Sequence, residues 1–533
     1  MKKSDSNRMP SFEEADRGQM QGLITSAYGH MVHTGYLFLR LVGAPADAAA
    51  WLRGLLAAGH VMTSRTWRPD RNLPKTKPDY AVNVAFTHAG LKAWRVDGQT
   101  LKSFSPAFME GPANSERAAS LGDSGAERPD LWEFGGKEEN AVHLVVVVHA
   151  TTADERARVI SILKSDLKMD GRDALQPVAG DQLGAHMIYS DPVRGSRVVK
   201  EHFGFNDGIS QPELRGLKKD SGNRSAAGQN TCAAGEFVLG YPDEYGFYPP
   251  TPLTHRSRDR GGMLPESPYR AEHPEYVDFG YNGTYLVYRK MTQDVASFWG
   301  YLKEQCRQLF GKEDPQTVLW LAAKMVGRWP NGVPLVEAPD LVDMTRYCGH
   351  LNHFMFAESD PDGSACPFGS HVRRVNPRDQ LKPGTPRQSL QMTRRHRLIR
   401  RGSTFGEPLF DLSILDNPQD VRALEKLLRL EDDGRERGLH FFCVNASIRR
   451  QFEFVQQSWS VSRTFNGLRD DPDPVVGDAG SRVCDLEDGF EIPGNPQSLR
   501  LKSLHRFTRT RASAYFFLPG LDTLRYLSTL NAG

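Results

Sequence analysis

The distribution of apolar and polar positions divides the chain into two mixed halves around a loop-rich middle. In the first half, GYLFLRLVG (35–43) is rich in strand formers and VNVAFTHAG (82–90) alternates until it meets a glycine. AVHLVVVVHA (141–150) is apolar on successive positions, the mark of a strand covered on both faces. Between these runs, ADAAAWLRGLLAAG (46–59) and TTADERARVISILKSDL (151–167) have helical spacing, and the second opens on Thr and Asp as cap candidates. The alternation predicts an α+β or α/β unit up to about residue 200. Residues 214–275 are full of Gly, Pro, Ser, Arg and Asp with little periodicity. A stretch of that kind in a folded protein is usually functional or wrapped over a domain. The second half repeats the texture of the first. NGTYLVYRKM (282–291) and GLHFFCVNA (438–446) read as strands. DVASFWGYLKEQCRQLF (294–310), DPQTVLWLAAKMVGRW (314–329) and IRRQFEFVQQSW (448–459) read as helices. No simple sequence repeat is visible, although two similar α+β units would account for the pattern.

Length and composition narrow the picture. A chain of 533 residues and 59.6 kDa, 39% hydrophobic and 25% charged, forms two domains or one large doubled one. The 67 Lys and Arg against 65 Asp and Glu leave a formal charge of +2, which gives no electrostatic case for nucleic acid or an acidic membrane as partner. The longest strongly apolar run, LVVVV (144–148), is too short to cross a bilayer. MKKSDSNRMPSFEEADRGQ has no apolar segment after its lysines and does not read as a secretory signal. Six cysteines, at 232, 306, 348, 366, 443 and 484, form no CxxC pair and read as reduced thiols. A soluble, cytoplasmic protein is the expectation.

Three segments carry candidate chemistry. FGFNDGISQP (203–212) places Asp207 among glycines and phenylalanines; CPFGSHVRRVNPRD (366–379) sets His371 close to three arginines; RHRLIRRGSTFGEP (395–408) is a basic stretch running into an aromatic turn. A neutral imidazole ligates haem iron well, and guanidinium groups suit its two propionates. Alone, the first segment reads as an ordinary turn or as a carboxylate held over something apolar, the second more as a surface loop, and the third as a solvated basic loop. The pairs His30/His33 and His350/His353 lack the glutamate of an HExxH site and read as ordinary core or surface histidines.

In order along the chain, GFNDGISQP, CPFGSHVRRVNPRD and LIRRGSTFG resemble the dye-decolorizing peroxidases, and specifically their larger, elaborated members. Segments such as QGLITSAYGHMVHTGYLFLRL, KMVGRWPNGVPL and GLHFFCVNASIRRQFEFVQQSW extend the resemblance over about residues 18–530. One departure is the turn RRGSTFG, where relatives often carry a proline before the aromatic residue. The resemblance implies an α+β fold of two ferredoxin-like domains, with antiparallel sheets flanked by helices, as in the dimeric α/β-barrel superfamily. The expected division is a disordered 1–17, a first domain 18–213 ending in the GxxDG loop, a connecting segment 214–281 and a haem-binding domain 282–533.

The resemblance also implies haem b (iron protoporphyrin IX) ligated by His371, with Asp207 and Arg400 as the catalytic pair and Arg401 as a second candidate for the arginine. Gly204, Phe205 and Gly208 are expected to lie over the haem. Arg373 and Arg378 are candidates for its propionates, Leu439 and Phe441 for an apolar wall, and Glu453 for a hydrogen bond to His371. Trp459 is a guess for a residue relaying electrons from bulky donors. The implied reaction is oxidation of aromatic dyes, phenols and similar donors by hydrogen peroxide, by a monomer or a dimer. The alternatives are a haem-binding or haem-handling protein with incidental peroxidase activity, and a scaffold that has lost the cofactor.

Overall fold

The computed structural model describes residues 12, 14–65, 77–169, 172–191, 194–217, 230–479, 488–494 and 496–530. Most of the N-terminal segment expected to be disordered, residues 1–11 and 13, lies outside the described residues. Ordered structure begins before residue 18, however: Phe12 is buried against Tyr241, and Glu14–Gln19 is helical.

Eight strands organise the molecule: β1 His33–Leu41, β2 Tyr80–Phe86, β3 Leu144–Ala150, β4 Gln182–Ala185, β5 Thr284–Gln293, β6 Ser403–Phe405, β7 Gly438–Asn445 and β8 Thr508–Leu518. They pair antiparallel in the order β5-β8-β2-β3-β1-β4-β6-β7, and β7 pairs back onto β5, so the sheet closes into a barrel. Its two seams are narrow. β2 meets β8 only at Phe86 and Phe517, and β4 meets β6 only at Ala185 and Thr404. Between the seams, each half has the same strand order, fourth-first-third-second in its own numbering. That is the ferredoxin-like arrangement, present twice.

The period of two along each strand divides the core. Phe38, Val145, Leu286, Tyr288, Phe442 and Phe516 fill one cluster, inside the barrel. Their neighbours Leu37, Val146, Val287, Cys443, Tyr515 and Phe517 belong to another, outside it. Helices α1 (Pro45–Ala57) and α2 (Ala153–Ser165) cover the outer face with Trp51, Leu52, Ile160 and Leu163. Thr152 caps α2 by accepting the Glu155 N–H at 3.1 Å.

In the second half, α3 (Val295–Phe310) and α4 (Pro315–Val326) are capped in the same manner by Asp294 and Asp314 and end on the left-handed glycines Gly311 and Gly327. These two helices build a separate core with Phe203 and Phe205. Phe203 stacks on Phe298 with centroids 4.4 Å apart, so the FGFNDG segment is anchored in a hydrophobic cluster; full burial of one such ring is worth roughly 1.5–3 kcal/mol.

Candidate active site

A cavity of about 530 Å³ lies between the outer face of the second half-sheet and the helices over it, within the roughly 300–1,000 Å³ typical of small-molecule sites. Met291 on β5 and Leu439 and Phe441 on β7 form the sheet side. His371, Val372 and Val375 enter from the short helix His371–Val375. Phe452, Val455 and Ser460 come from two successive π-helical turns, Arg449–Glu453 and Val455–Val461, a distortion that recurs at functional sites. Phe205, Asp207, Gly208 and Gln211 of the 203–212 loop complete the lining together with Arg400.

Three segments far apart in sequence thus meet around one space. Asp207 pairs with Val199 in a short antiparallel ladder, and its Oδ1 accepts the Gly208 N–H at 2.6 Å and Arg400 Nη1 at 2.7 Å. Both bonds fall on one oxygen, which leaves Oδ2 to exchange a proton. Burial pushes the Asp207 carboxyl up, but Arg400, the Gly208 amide and His186 outweigh it and hold the group below the ordinary carboxylate value. Gln211 fixes the spacing of the pair. Its Oε1 accepts the Arg400 N–H at 3.0 Å and its amide donates to the Arg400 carbonyl at 3.4 Å.

His371 lines the same cavity, and its Nδ1 lies 3.0 Å from Asp473 Oδ2. With Nδ1–H donated to a carboxylate, Nε2 keeps its lone pair for a metal. Asp473 is fully buried, and its Oδ1 accepts the amides of Val475 and Val476 at 2.8 and 3.0 Å. Burial alone would raise its pKa; His371, Arg374 and the Val475 amide bring it below the usual value.

Several expectations are corrected here. Glu453 is not the partner of His371: it accepts from Arg117 at 2.5 Å and from the Tyr515 hydroxyl at 3.0 Å. Arg373 is buried away from the cavity, paired with Asp360 at 2.6 Å and sandwiched between Phe356 and Phe368. Arg378 is likewise buried, donating to the carbonyls of Asn352 and Phe354 with Phe354 under its guanidinium. Neither is placed to hold a propionate. Gly204 has φ +100°, but a Cβ there would meet Leu415 Cδ1 at 2.1 Å, so this glycine permits packing against Leu415 rather than approach to a ligand. Gly208 differs: its φ is +80° and a Cβ would point into open space. Arg401 donates to the carbonyls of Leu23 and Ile24, leaving Arg400 as the arginine on Asp207. Trp459 is 4% exposed and is not a surface relay.

Of the further arginines that line the cavity and were missed in the sequence, two are buried without a carboxylate partner among the described residues. Arg397 is buried and, among the described residues, donates to the side chains of Asn230, Asn376 and Ser210, each at 3.3 Å. Arg328 donates to the carbonyls of Gly332 and Leu351, while its Nη2 is buried without a partner among the described residues. Among the described residues neither has a carboxylate partner, and burial draws both pKa values down, that of Arg328 to about 10.

No family model matches the chain. Individual relatives do. Peroxidase 2 of Mycetinis scorodonius is 26% identical over 475 residues, covering 84% of this chain and 76% of that protein. The multifunctional dye peroxidase DyP2 of Amycolatopsis is 26% identical over 498 residues, covering 91% and 90%. A dye-decolorizing peroxidase solved in complex with 2,6-dimethoxyphenol superposes over 96% of this chain and 99% of its own, with a TM-score of 0.70 at 21% identity. Over most of its length the chain is similar to dye-decolorizing peroxidases. Dye-decolorizing peroxidases are haem enzymes, and the cavity has the chemistry for haem. It offers an imidazole with a free nitrogen, two buried guanidinium groups lacking carboxylates for a pair of propionates, and apolar walls for the macrocycle.

Proposed function

We propose that the protein uses hydrogen peroxide to oxidise aromatic dyes, phenols and related one-electron donors, with haem b ligated by His371 Nε2 and its propionates held by Arg328 and Arg397. The observation that carries this reading is the Asp207–Arg400 pair at 2.7 Å opening on the cavity that His371 lines. When bound, haem supplies the iron at which the O–O bond of peroxide is cleaved and through which electrons are drawn singly from the donor. Asp207 Oδ2 would accept a proton from one peroxide oxygen and return it to the other, which leaves as water. The Arg400 guanidinium stabilises the negative charge that builds up on the leaving oxygen. Leu439, Phe441 and Phe205 keep water from competing at that spot. A protein that only carried haem would have no use for a carboxylate and a guanidinium arranged in this way. The 2,6-dimethoxyphenol bound by the related peroxidase supports a phenolic donor. The five described cysteines are all free, which supports a cytoplasmic setting, and no helix among the described residues is long and apolar enough to cross a membrane.

The test is oxidation of 2,6-dimethoxyphenol by the haem-loaded protein. Turnover that depends on peroxide supports the assignment, and a haem-loaded protein without it is a carrier. Two variants probe the roles. Arg400 is one of the groups that hold Asp207 down, so Arg400→Leu raises the carboxyl pKa. Because the ionised carboxylate is the active form, activity is lost as pH falls through that pKa. The acid limb of kcat/KM for peroxide therefore moves to higher pH, with a fall of about 10²–10³-fold in rate above it. Asp473→Asn weakens electron donation by His371. It raises the reduction potential of the haem iron and costs about 10–100-fold in kcat/KM for peroxide, measured by potentiometric titration and rapid mixing.

A further inference from the structure

Asp207 has to stand within hydrogen-bond reach of a peroxide oxygen, yet it sits on a loop rather than in a helix or a long strand. What holds the loop is the pair of residues just before it. Lys200 is completely buried, and its three ammonium hydrogens have three acceptors: the Gly204 carbonyl at 2.9 Å, the Pro330 carbonyl at 3.3 Å and Asp416 Oδ1 at 2.8 Å. Glu201 is the complement. Its Oε1 accepts the Phe205 N–H at 2.8 Å, and its Oε2 accepts the Phe203 N–H at 2.9 Å and the Gln293 amide at 2.6 Å.

Backbone bonds close the rest of the turn. Glu201 N donates to Phe205 O at 3.0 Å, Gly204 N to Glu201 O at 2.9 Å and Asn206 N to Pro330 O at 2.8 Å. A buried backbone polar group without a partner is costly, so this arrangement favours one conformation of 203–206 over its neighbours. Gln293 lies at the end of β5, and Pro330 follows α4. The charges of Lys200 and Glu201 therefore tie the loop to both the sheet and the helices that border the cavity. Arg400 is tied in turn through Gln211.

We propose that Lys200 and Glu201 are the positioning residues of the peroxide step: together they set where the Asp207 carboxylate stands, and neither touches the reacting atoms. The proposal rests on the reading of Asp207 as the proton carrier. It also separates two roles within EHFGFNDG, since the acidic residue at 201 places the acidic residue at 207.

The test compares holoenzymes of the wild type, Glu201→Gln and Asp207→Asn. Glutamine keeps one acceptor and turns an N–H toward the other amide, so one of Phe203 and Phe205 loses its partner. Two rates are measured by rapid mixing: the reaction with peroxide, and association of cyanide followed at the Soret band. Hydrogen cyanide must also give up its proton before binding iron and needs no turnover. In Glu201→Gln both rates fall together, by roughly 10–100-fold, as a misplaced catalytic group predicts, while KM for the reducing dye stays at its wild-type value. If Glu201→Gln only lowers the melting temperature and leaves both rates at wild-type values, while Asp207→Asn is slow, the positioning role is wrong. If Asp207→Asn itself reacts at the wild-type rate, it is the underlying reading of Asp207 that fails.

Should Glu201→Gln not fold, hydrogen exchange on the wild-type holoenzyme decides. The Phe203 and Phe205 amides exchange as slowly as the β5 core if the clamp exists. Exchange at exposed-loop rates overturns it.

Discussion

Asp207→Asn keeps its haem and loses peroxide-driven turnover by about 10²–10⁴-fold. Asparagine has nearly the same shape. Its Oδ1 still accepts from Gly208 N and from Arg400, the two bonds that orient the wild-type side chain, so the loop and the cavity stay as they are. What disappears is the oxygen able to take a proton and give it back. The deficit appears in the second-order reaction with peroxide, measured by rapid mixing, with the ferric Soret band unchanged before mixing. Full activity in this variant would move the proton to another group. His186 also lines the cavity and would be the next to test.

His371→Ala has the other large effect. The variant loses the imidazole that Asp473 orients, and haem affinity drops by more than about 100-fold, beyond the cost of removing an outer partner of a metal ligand. Truncation opens a space the size of one ring next to Asp473, whose own position depends on the Val475 and Val476 amides rather than on the histidine. Added imidazole therefore restores the wild-type absorption spectrum of the haem-loaded protein and part of the peroxide activity. Rescue by imidazole separates a lost ligand from a misfolded chain. Haem binding unaffected by the truncation would place the ligand elsewhere.

Much of this architecture was legible in the pattern of side chains. β1, β2, β3, β5 and β7 fall within a few residues of the apolar runs that announce them, and the caps Thr152, Asp294 and Asp314 stand where the helical spacing begins. The strands that escaped notice are β4 and β6, four and three residues long, and β8, where arginine and threonine dilute the alternation of TRTRASAYFFL. Barrel closure was invisible because each seam is a single residue pair, and the repeated strand order survives without any repeated sequence. At the site, Asp207, His371 and Arg400 each sit in a short motif whose glycines, prolines and arginines are unusual together.

Their supports leave no such trace. Asp473 lies in RDDPDPVVG, an acidic loop without periodicity, and reaches His371 across 102 residues. Glu453 occupies a helical position that resembles a support, but it is held by Arg117 and Tyr515. Arg373 and Arg378 read as haem contacts because they neighbour His371 in sequence. Burial among Asp360, Phe354 and Phe356 turns them into core residues, and the cavity takes its guanidinium groups from Arg328 and Arg397 instead.

The central claim is that one cavity joins an iron ligand to a working proton carrier. The absorption spectrum of the haem-loaded protein, recorded before and immediately after one equivalent of hydrogen peroxide, tests both parts at once. A strong Soret band that changes promptly on adding peroxide, and returns to its starting form when a phenol is supplied, is the predicted result. A Soret band that ignores peroxide, or none at all after haem is supplied, contradicts the account.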